Sequence, residues 1–278
     1  MLNLYQEVCR SCSKLITQRY STSFTLGIRM FQKKYQEPIY NLYGFVRFAD
    51  EIVDTFHDQD KALLLEEFKK DTWLAIDRKL SLNPVLQSFQ EVVNQYGIEK
   101  ELIEAFLKSM EMDLHHQDYQ QDLYEEYIYG SAEVVGLMCL RVFCEGDDEM
   151  YQALKKPACK LGSAFQKVNF LRDMKSDFDV RERVYFPGID FLSFNEAQKK
   201  AIEADIKADF DEAYEGIKRL PKGARFGVYL AYIYYLKLLN KIARTPASEI
   251  TKRRLRVHDS RKAYLLLSSA VRHQFNLI

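Results

Sequence analysis

Apolar residues recur at three- and four-residue steps along almost the whole chain, and this helical period limits the fold more than any other feature. Leu63, Leu64 and Phe68, with Leu74 and Ile76 further on, fit one helix. Leu102, Ile103, Phe106, Leu107 and Met110 fit a second, and Tyr229, Leu230, Ile233, Leu236 and Leu239 a third. Period-two alternation between hairpin turns is nearly absent. The best extended segment is VYFPG at 184–188, and Pro187 limits it. Breaks fall near Glu37-Pro38, Asn83-Pro84, Gly97, Gly146-Asp147-Asp148, Pro187-Gly188, Leu220-Pro221 and Thr245-Pro246. None is a long linker, so residues 1–278 are expected to form one all-α domain, a helical bundle of roughly ten helices.

Composition agrees with a packed bundle. The chain is 47% hydrophobic with only 11 Gly and 6 Pro, which supplies a sizeable core and argues against disorder. Forty Lys and Arg balance forty Asp and Glu. That zero net charge speaks against a large nucleic-acid footprint, and no nucleic-acid partner is expected. Five cysteines (Cys9, Cys12, Cys139, Cys144, Cys159) read as reduced, mostly buried thiols of a cytoplasmic protein, because the lone Cys9/Cys12 pair has no second pair at zinc spacing. MLNLYQEVCRSCSKL lacks a basic start followed by an apolar block, so no secretory leader is expected. No uninterrupted apolar run reaches the ~18 residues of a membrane span. The expectation is a soluble protein or one at a membrane surface. His57, His115 and His116 lack partners at zincin spacing and read as surface histidines.

Two segments carry chemistry. In Arg47-Phe48-Ala49-Asp50-Glu51-Ile52-Val53-Asp54, the pair Asp50 and Asp54 stand four apart and share one helix face. In the segment from Gln166 to Asp177, the residues Gln166, Asn169, Asp173 and Asp177 follow steps of three, four and four, which makes one polar stripe in an otherwise apolar helix. A lone pair of this kind is usually a solvated face. Two such pairs, each beside an arginine (Arg47, Arg172), point elsewhere. Four carboxylates meeting at one cavity repel one another unless cations neutralise them. Oxygen ligands without Cys or His select Mg²⁺, which binds one or two carboxylates plus substrate phosphates. The arginines offer forked donors for phosphate oxygens. A diphosphate site is the resulting expectation.

These residues also carry a family resemblance. YSTSF (20–24), YGFVRFADEIVD (43–54), YIYGSAEVVGLM (127–138), QKVNFLRDMKSDF (166–178) and RVYFP (183–187) occur in the order seen in the squalene/phytoene synthase family of head-to-head prenyl transferases. The resemblance runs from about Tyr20 to Arg254 and implies an isoprenoid-synthase-type helical bundle with a central substrate cavity. It implies that Asp50, Asp54, Asp173 and Asp177 bind Mg²⁺ (with Mn²⁺ as a substitute), joined by Asn169 and by Glu51, which stands where many members have a further Asp. Ser21, Arg47, Arg172, Arg183 and Tyr185 match diphosphate-contacting positions, and Gln166 and Asn169 match polar residues facing the site. Tyr235 and Arg254 match a late tyrosine and arginine. Tyr20 replaces a His common in some members.

An allyl cation left by a departing diphosphate needs a dry cavity and aromatic faces. Phe24, Tyr40, Tyr43, Tyr129 and Phe165 are the candidates, with Phe24 and Tyr43 assigned to substrate binding and Tyr129 to the catalytic set. Gly130 and Gly136 either slim a helix for an isoprenoid tail or permit close packing. The implied reaction joins two geranylgeranyl diphosphates into phytoene through a cyclopropylcarbinyl diphosphate. The alternatives are a squalene or dehydrosqualene synthase using farnesyl diphosphate, with NADPH only for a squalene-type product, and a silent relative acting as an assembly factor. The basic stretch Lys252-Arg253-Arg254-Leu255-Arg256, with Arg261-Lys262, is either a solvated face or a peripheral contact with an anionic inner membrane surface.

Overall fold

A computed structural model describes residues 2–115, 120–181, 183–252 and 254–255 of the chain. His116, Arg253 and the basic residues from Arg256 onward lie outside these. Twelve α-helical segments are found among the described residues: α1 Leu2–Tyr20, α2 Thr22–Arg29, α3 Lys33–Asp54, α4 Lys61–Arg78, α5 Pro84–Tyr96, α6 Lys100–Met112, α7 Gln121–Ile128, α8 Val134–Cys144, α9 Asp148–Arg181, α10 Glu196–Arg219, α11 Lys222–Ala243 and α12 Ala247–Ile250. A π-helical segment, Tyr129–Glu133, joins α7 to α8 without a break.

Local chemistry sets the boundaries. Asp60 and Asn83 cap α4 and α5 through their side chains, and Pro84 takes the first turn of α5, where its missing N–H costs nothing. Gly97 ends α5 in the left-handed conformation at φ 63°. Asn195 and Gln198 form a capping box at the start of α10. The expected break at Glu37-Pro38 is not one. Pro38 lies in the early part of α3, and the helix runs through it. The segment 184–188 is non-helical, as the Pro187-Gly188 pair requires.

Two groups of buried side chains form the core. One joins α3, α4, α5, α6 and α8 around Phe45, Phe89 and Phe106, with the rings of Phe45 and Phe89 stacked at 3.7 Å. The other joins α9, α10 and α11 around Val168, Phe210 and Leu238. Helix α9 packs on α8, the π segment and α10, and spans about 51 Å at the usual rise per residue. The continuous helix Gln121–Cys144 is long and apolar enough to cross a membrane by length and composition, yet it sits within this packing, against α6 and α9. The five cysteines are free, with Cys9 and Cys144 buried.

Candidate active site

Helices α2, α3, α8, α9, α10 and α11 surround a cavity of about 280 Å³ with an almost wholly apolar wall. On α3 the wall is made by Ile39, Tyr43 and Val46, a stripe that continues along the same face to Asp50 and Asp54. On α9 it is made by Leu154, Ala158, Leu161, Phe165 and Gln166, and that stripe continues to Asn169, Asp173 and Asp177. Both acidic motifs are thus C-terminal extensions of cavity-lining stripes. They stand at one end of one cavity, on facing walls.

Tyrosines link the two walls. Burial pushes the Tyr43 phenol up to about 12; Ser21, its hydrogen-bond partner, pulls the other way, and Asp50 and Tyr235 push with burial. Tyr235, raised chiefly by burial, donates to Asn169 Oδ1 at 3.3 Å and feels Arg172 and Asp173. The Phe24 and Tyr43 rings stack at 4.4 Å on one side, and Phe165 and Tyr235 at 4.1 Å on the other. Gln166 Nε2 donates to Ser131 Oγ at 3.2 Å, which ties the α9 stripe to the π segment.

Arginines hold the carboxylates. On α3, Arg47 Nη2 donates to Glu51 Oε2 at 2.8 Å, and Nη1 lies 3.6 Å from Asp50 Oδ2. Its guanidinium sits 4.5 Å from the centre of the Tyr20 ring, whose hydroxyl bonds Glu51. Burial opposes the Glu51 charge, but Thr55, Arg47 and Tyr20 outweigh it and leave the carboxyl below its ordinary value. On α9, Asp173 Oδ1 accepts from Arg172 Nε at 2.9 Å and lies 2.6 Å from Arg254 Nε, while Arg254 Nη2 donates to Oδ2 at 3.2 Å. Burial works against the Arg172 charge, and Asp173 more than restores it.

Arg183 and Tyr185 are drawn into a second network. Arg183 Nη1 donates to Asp113 Oδ1 at 2.6 Å and to the Tyr185 hydroxyl at 3.3 Å, and Nη2 donates to the Asp113 carbonyl. The Tyr127 hydroxyl donates to both Asp113 oxygens, at 3.1 and 2.9 Å. Phe170 stacks on Tyr185 at 4.2 Å and on Tyr127 at 6.0 Å. The network adjoins the second acidic motif, because the Arg183 N–H bonds the Asp177 carbonyl at 3.2 Å. Burial raises Tyr185 to about 12, and Asp113 and Asp177 add to the rise. Asp113 and Tyr127 were not reached from the sequence. For Tyr127 a signal exists in its phase, four residues before Ser131 and eight before Val135 on the cavity face. Asp113 stands in no motif and offers none.

Two expectations change, and one pair of alternatives resolves. Tyr129 is 39% exposed, does not line the cavity, and has Cys159, Glu133 and Glu99 as its charged or polar surroundings, so it stands outside the assembled site. Tyr40 is buried against α1, where Lys14 Nζ lies 5.8 Å from its ring centre, and it too misses the cavity. Gly130 serves helix packing, because a Cβ there would meet the Ala105 carbonyl oxygen at 2.5 Å, whereas Gly136 does line the cavity.

Among the described residues, no three carboxylate, histidine or cysteine side chains gather closely enough to hold a metal ion unaided. The donor set still fits Mg²⁺, which typically takes one or two carboxylates and leaves its other positions to water and phosphate. The buried Arg47 Nε has no hydrogen-bond partner, a cationic donor that an anion would satisfy.

The sequence profile of the Squalene/phytoene synthase family matches residues 17–261. The phytoene synthase of Arthrospira platensis is 26% identical over 86% of this chain and 84% of its own length. The phytoene synthase of Rhodobacter capsulatus is 27% identical over 95% and 80%. The chloroplastic phytoene synthase 1 of Arabidopsis thaliana is 27% identical, and the match covers 64% of that longer protein. Among solved structures, a dehydrosqualene synthase superposes with a TM-score of 0.82 at 22% identity, covering 97% of both chains. A squalene synthase from Alicyclobacillus acidocaldarius superposes at 0.73 with 19% identity, covering 86% of this chain and 93% of that one. The acidic stripes at one cavity end and these matches give one conclusion: this chain belongs to the squalene/phytoene synthase family, the prenyltransferases that condense prenyl units head to head.

Proposed function

We propose that the protein joins two geranylgeranyl diphosphates into phytoene in a Mg²⁺-dependent reaction. The observation that carries the reading is the position of both acidic motifs at one end of a single apolar cavity. Asp50, Asp54, Asp173 and Asp177 would hold the metal, with Glu51 and Asn169 beside them. Bound Mg²⁺ supplies stabilisation of the charge that develops on a departing diphosphate. Arg47, Arg172 and Arg254 add forked donors to the same oxygens. Phe24, Tyr43, Phe165 and Tyr235 present ring faces to the allyl cation and exclude the water that would trap it. With the Tyr43 phenol held near 12, its oxygen stays protonated at neutral pH and is a poor nucleophile toward that cation. The double bond of the second substrate attacks the first cation, and proton loss closes a cyclopropylcarbinyl diphosphate. A second ionisation, rearrangement and proton loss release phytoene.

Support for the geranylgeranyl substrate comes from the relatives named phytoene synthase, at about a quarter identity over most of the chain. The test is incubation of purified protein with Mg²⁺ and either farnesyl or geranylgeranyl diphosphate, with and without NADPH, followed by mass spectrometry of the extracted hydrocarbon. Phytoene from geranylgeranyl diphosphate without NADPH is expected. Dehydrosqualene or squalene from farnesyl diphosphate alone would replace the substrate assignment. No hydrocarbon under any condition would leave the assembly-factor reading.

A further inference from the structure

The direction of the cavity follows from its walls. Along α3 and α9 the lining runs from Ile39 and Leu154 toward the acidic motifs, and along α11 from Gly227 through Ala231 to Tyr235. Along the π segment and α8 it runs the other way, from Ser131 to Phe143, and along α2 from Phe24 to Ile28 and on to Phe31. Phe31 and Phe143 therefore close the end far from the carboxylates. The step of twelve residues from Leu154 to Gln166 corresponds to about 18 Å of helix, which is the scale of a prenyl tail.

The closure is built from particular parts. The Phe31 and Phe143 rings stand 5.1 Å apart at 59°, and Tyr35 braces Phe143 edge-on at 5.6 Å. Phe143 and Tyr35 are buried and Phe31 is half-buried. The ring occupies a notch where α11 has no side chain. A Cβ on Gly227 would lie 2.3 Å from Phe31 Cε1 and 2.8 Å from the Gly27 carbonyl oxygen. The backbone around the ring is fixed on both sides. The Phe31 N–H donates to the Ile28 carbonyl at 3.0 Å, the Phe31 carbonyl accepts from Gln36 Nε2 at 2.8 Å, and the Gln32 N–H donates to the Gly223 carbonyl at 2.9 Å.

We propose that Phe31, seated in the Gly227 notch and backed by Phe143, is the length stop for the prenyl tail, and so sets the longest substrate that the cavity accepts. The inference rests on the reading of the opposite end as the diphosphate site. Shortening the side chain lengthens the space at the far end by the volume that the ring vacates. Adding a methyl at position 227 drives the ring inward and shortens the space.

The experiment measures binding of unreactive farnesyl, geranylgeranyl and geranylfarnesyl thiolodiphosphates with Mg²⁺ by calorimetry. It compares wild type, Phe31→Ala, Gly227→Ala and the double variant, with turnover of the corresponding diphosphates measured in parallel. Phe31→Ala is expected to bind the longest analogue at least about tenfold more tightly than wild type, while the shortest is unchanged, since a single misfitted methylene already counts for that much in an apolar pocket. Gly227→Ala is expected to lose at least about tenfold for geranylgeranyl and to keep farnesyl. The double variant regains the part of the loss that the ring causes, while the Gly27 carbonyl oxygen, 2.8 Å from the added methyl, still costs it stability. Phe31→Leu replaces Phe31→Ala if the latter does not give a native circular dichroism spectrum. Folded variants with the wild-type length profile would overturn the stop and leave the site reading intact. Failure of wild type to bind any of the three analogues would overturn both.

Discussion

Asp173 accepts from two guanidiniums at once, and its neighbours fix what its removal does. Arg172 and Arg254 hold the carboxylate at the cavity mouth, where it is only partly buried, so the fold does not depend on it as it does on a core ion pair. Asp173→Ala and Asp54→Ala are each expected to lower product formation by at least about 10²-fold, the scale of losing a charge-stabilising group at a reacting centre. The far-UV circular dichroism should stay native. Retained turnover in either variant would remove the metal assignment. Asp113 is the opposite case. Its side chain and that of Arg183 are each only 9% exposed, and Tyr127 completes the set. Asp113→Ala takes one partner from a buried ion pair and is expected to cost about 3–5 kcal/mol in urea unfolding. Asp113→Asn keeps acceptors for Tyr127 and Arg183 and should cost less. Equal losses in the two variants would mean that the charge is irrelevant.

The acidic stripes were legible as helical elements because their period is local: steps of three and four along α3 and α9 place each set on one face whatever the rest of the chain does. What they face was not local. Asp113 meets Arg183 across 70 residues, and no spacing rule connects them. Pro38 misled for a physical reason as well. A proline costs a helix one N–H bond and crowds the turn before it, which burial of the helix face can outweigh: α3 runs through buried Pro38, as α9 runs through Pro157. The π segment is the third case. Its five residues, Tyr129–Glu133, widen one turn, and Ser131 Oγ donates to the Tyr127 carbonyl at 2.7 Å within it. Such segments concentrate at functional sites, and here the turn keeps Tyr127 in phase with Ser131 while Tyr129 stands outside the site. The segment is pressed onto α6, where a Gly130 Cβ would approach Ser109 Cβ at 2.7 Å as well as the Ala105 carbonyl. Gly130→Ala is therefore expected to destabilise by about 1–3 kcal/mol, the usual cost of overpacking. Denaturant unfolding measures it, and a neutral result would show that the α6 contact can open.

At the scale of the molecule, the cavity lies where the two buried groups meet, so its walls are also parts of the core, and binding is coupled to global stability. One consequence concerns alkaline pH. Burial raises the phenols of Tyr43, Tyr185 and Tyr232 to about 12, against an ordinary value near 10. Between these values the unfolded chain releases protons that the folded chain retains. The unfolded state then binds fewer protons, the slope of unfolding free energy against pH is negative, and stability falls as pH rises. Below about pH 10 the phenols are neutral in both states and the contribution is fully present. The melting temperature is therefore expected to drop as pH passes from 10 toward 12, on top of a fall that begins near pH 9 as the thiols of Cys139, Cys144 and Cys159, raised by burial to about 12, 11 and 12, ionise first in the unfolded chain. Tyr232 separates this from effects at the reacting centre, because its surroundings are Asp211, Tyr214 and Tyr229 and it does not line the cavity. Tyr232→Phe should make the alkaline fall shallower and leave turnover at neutral pH as it was. An unchanged fall in that variant would mean that Tyr232 ionises as freely in the folded chain as in the unfolded one, and that the α10–α11 face around it admits water.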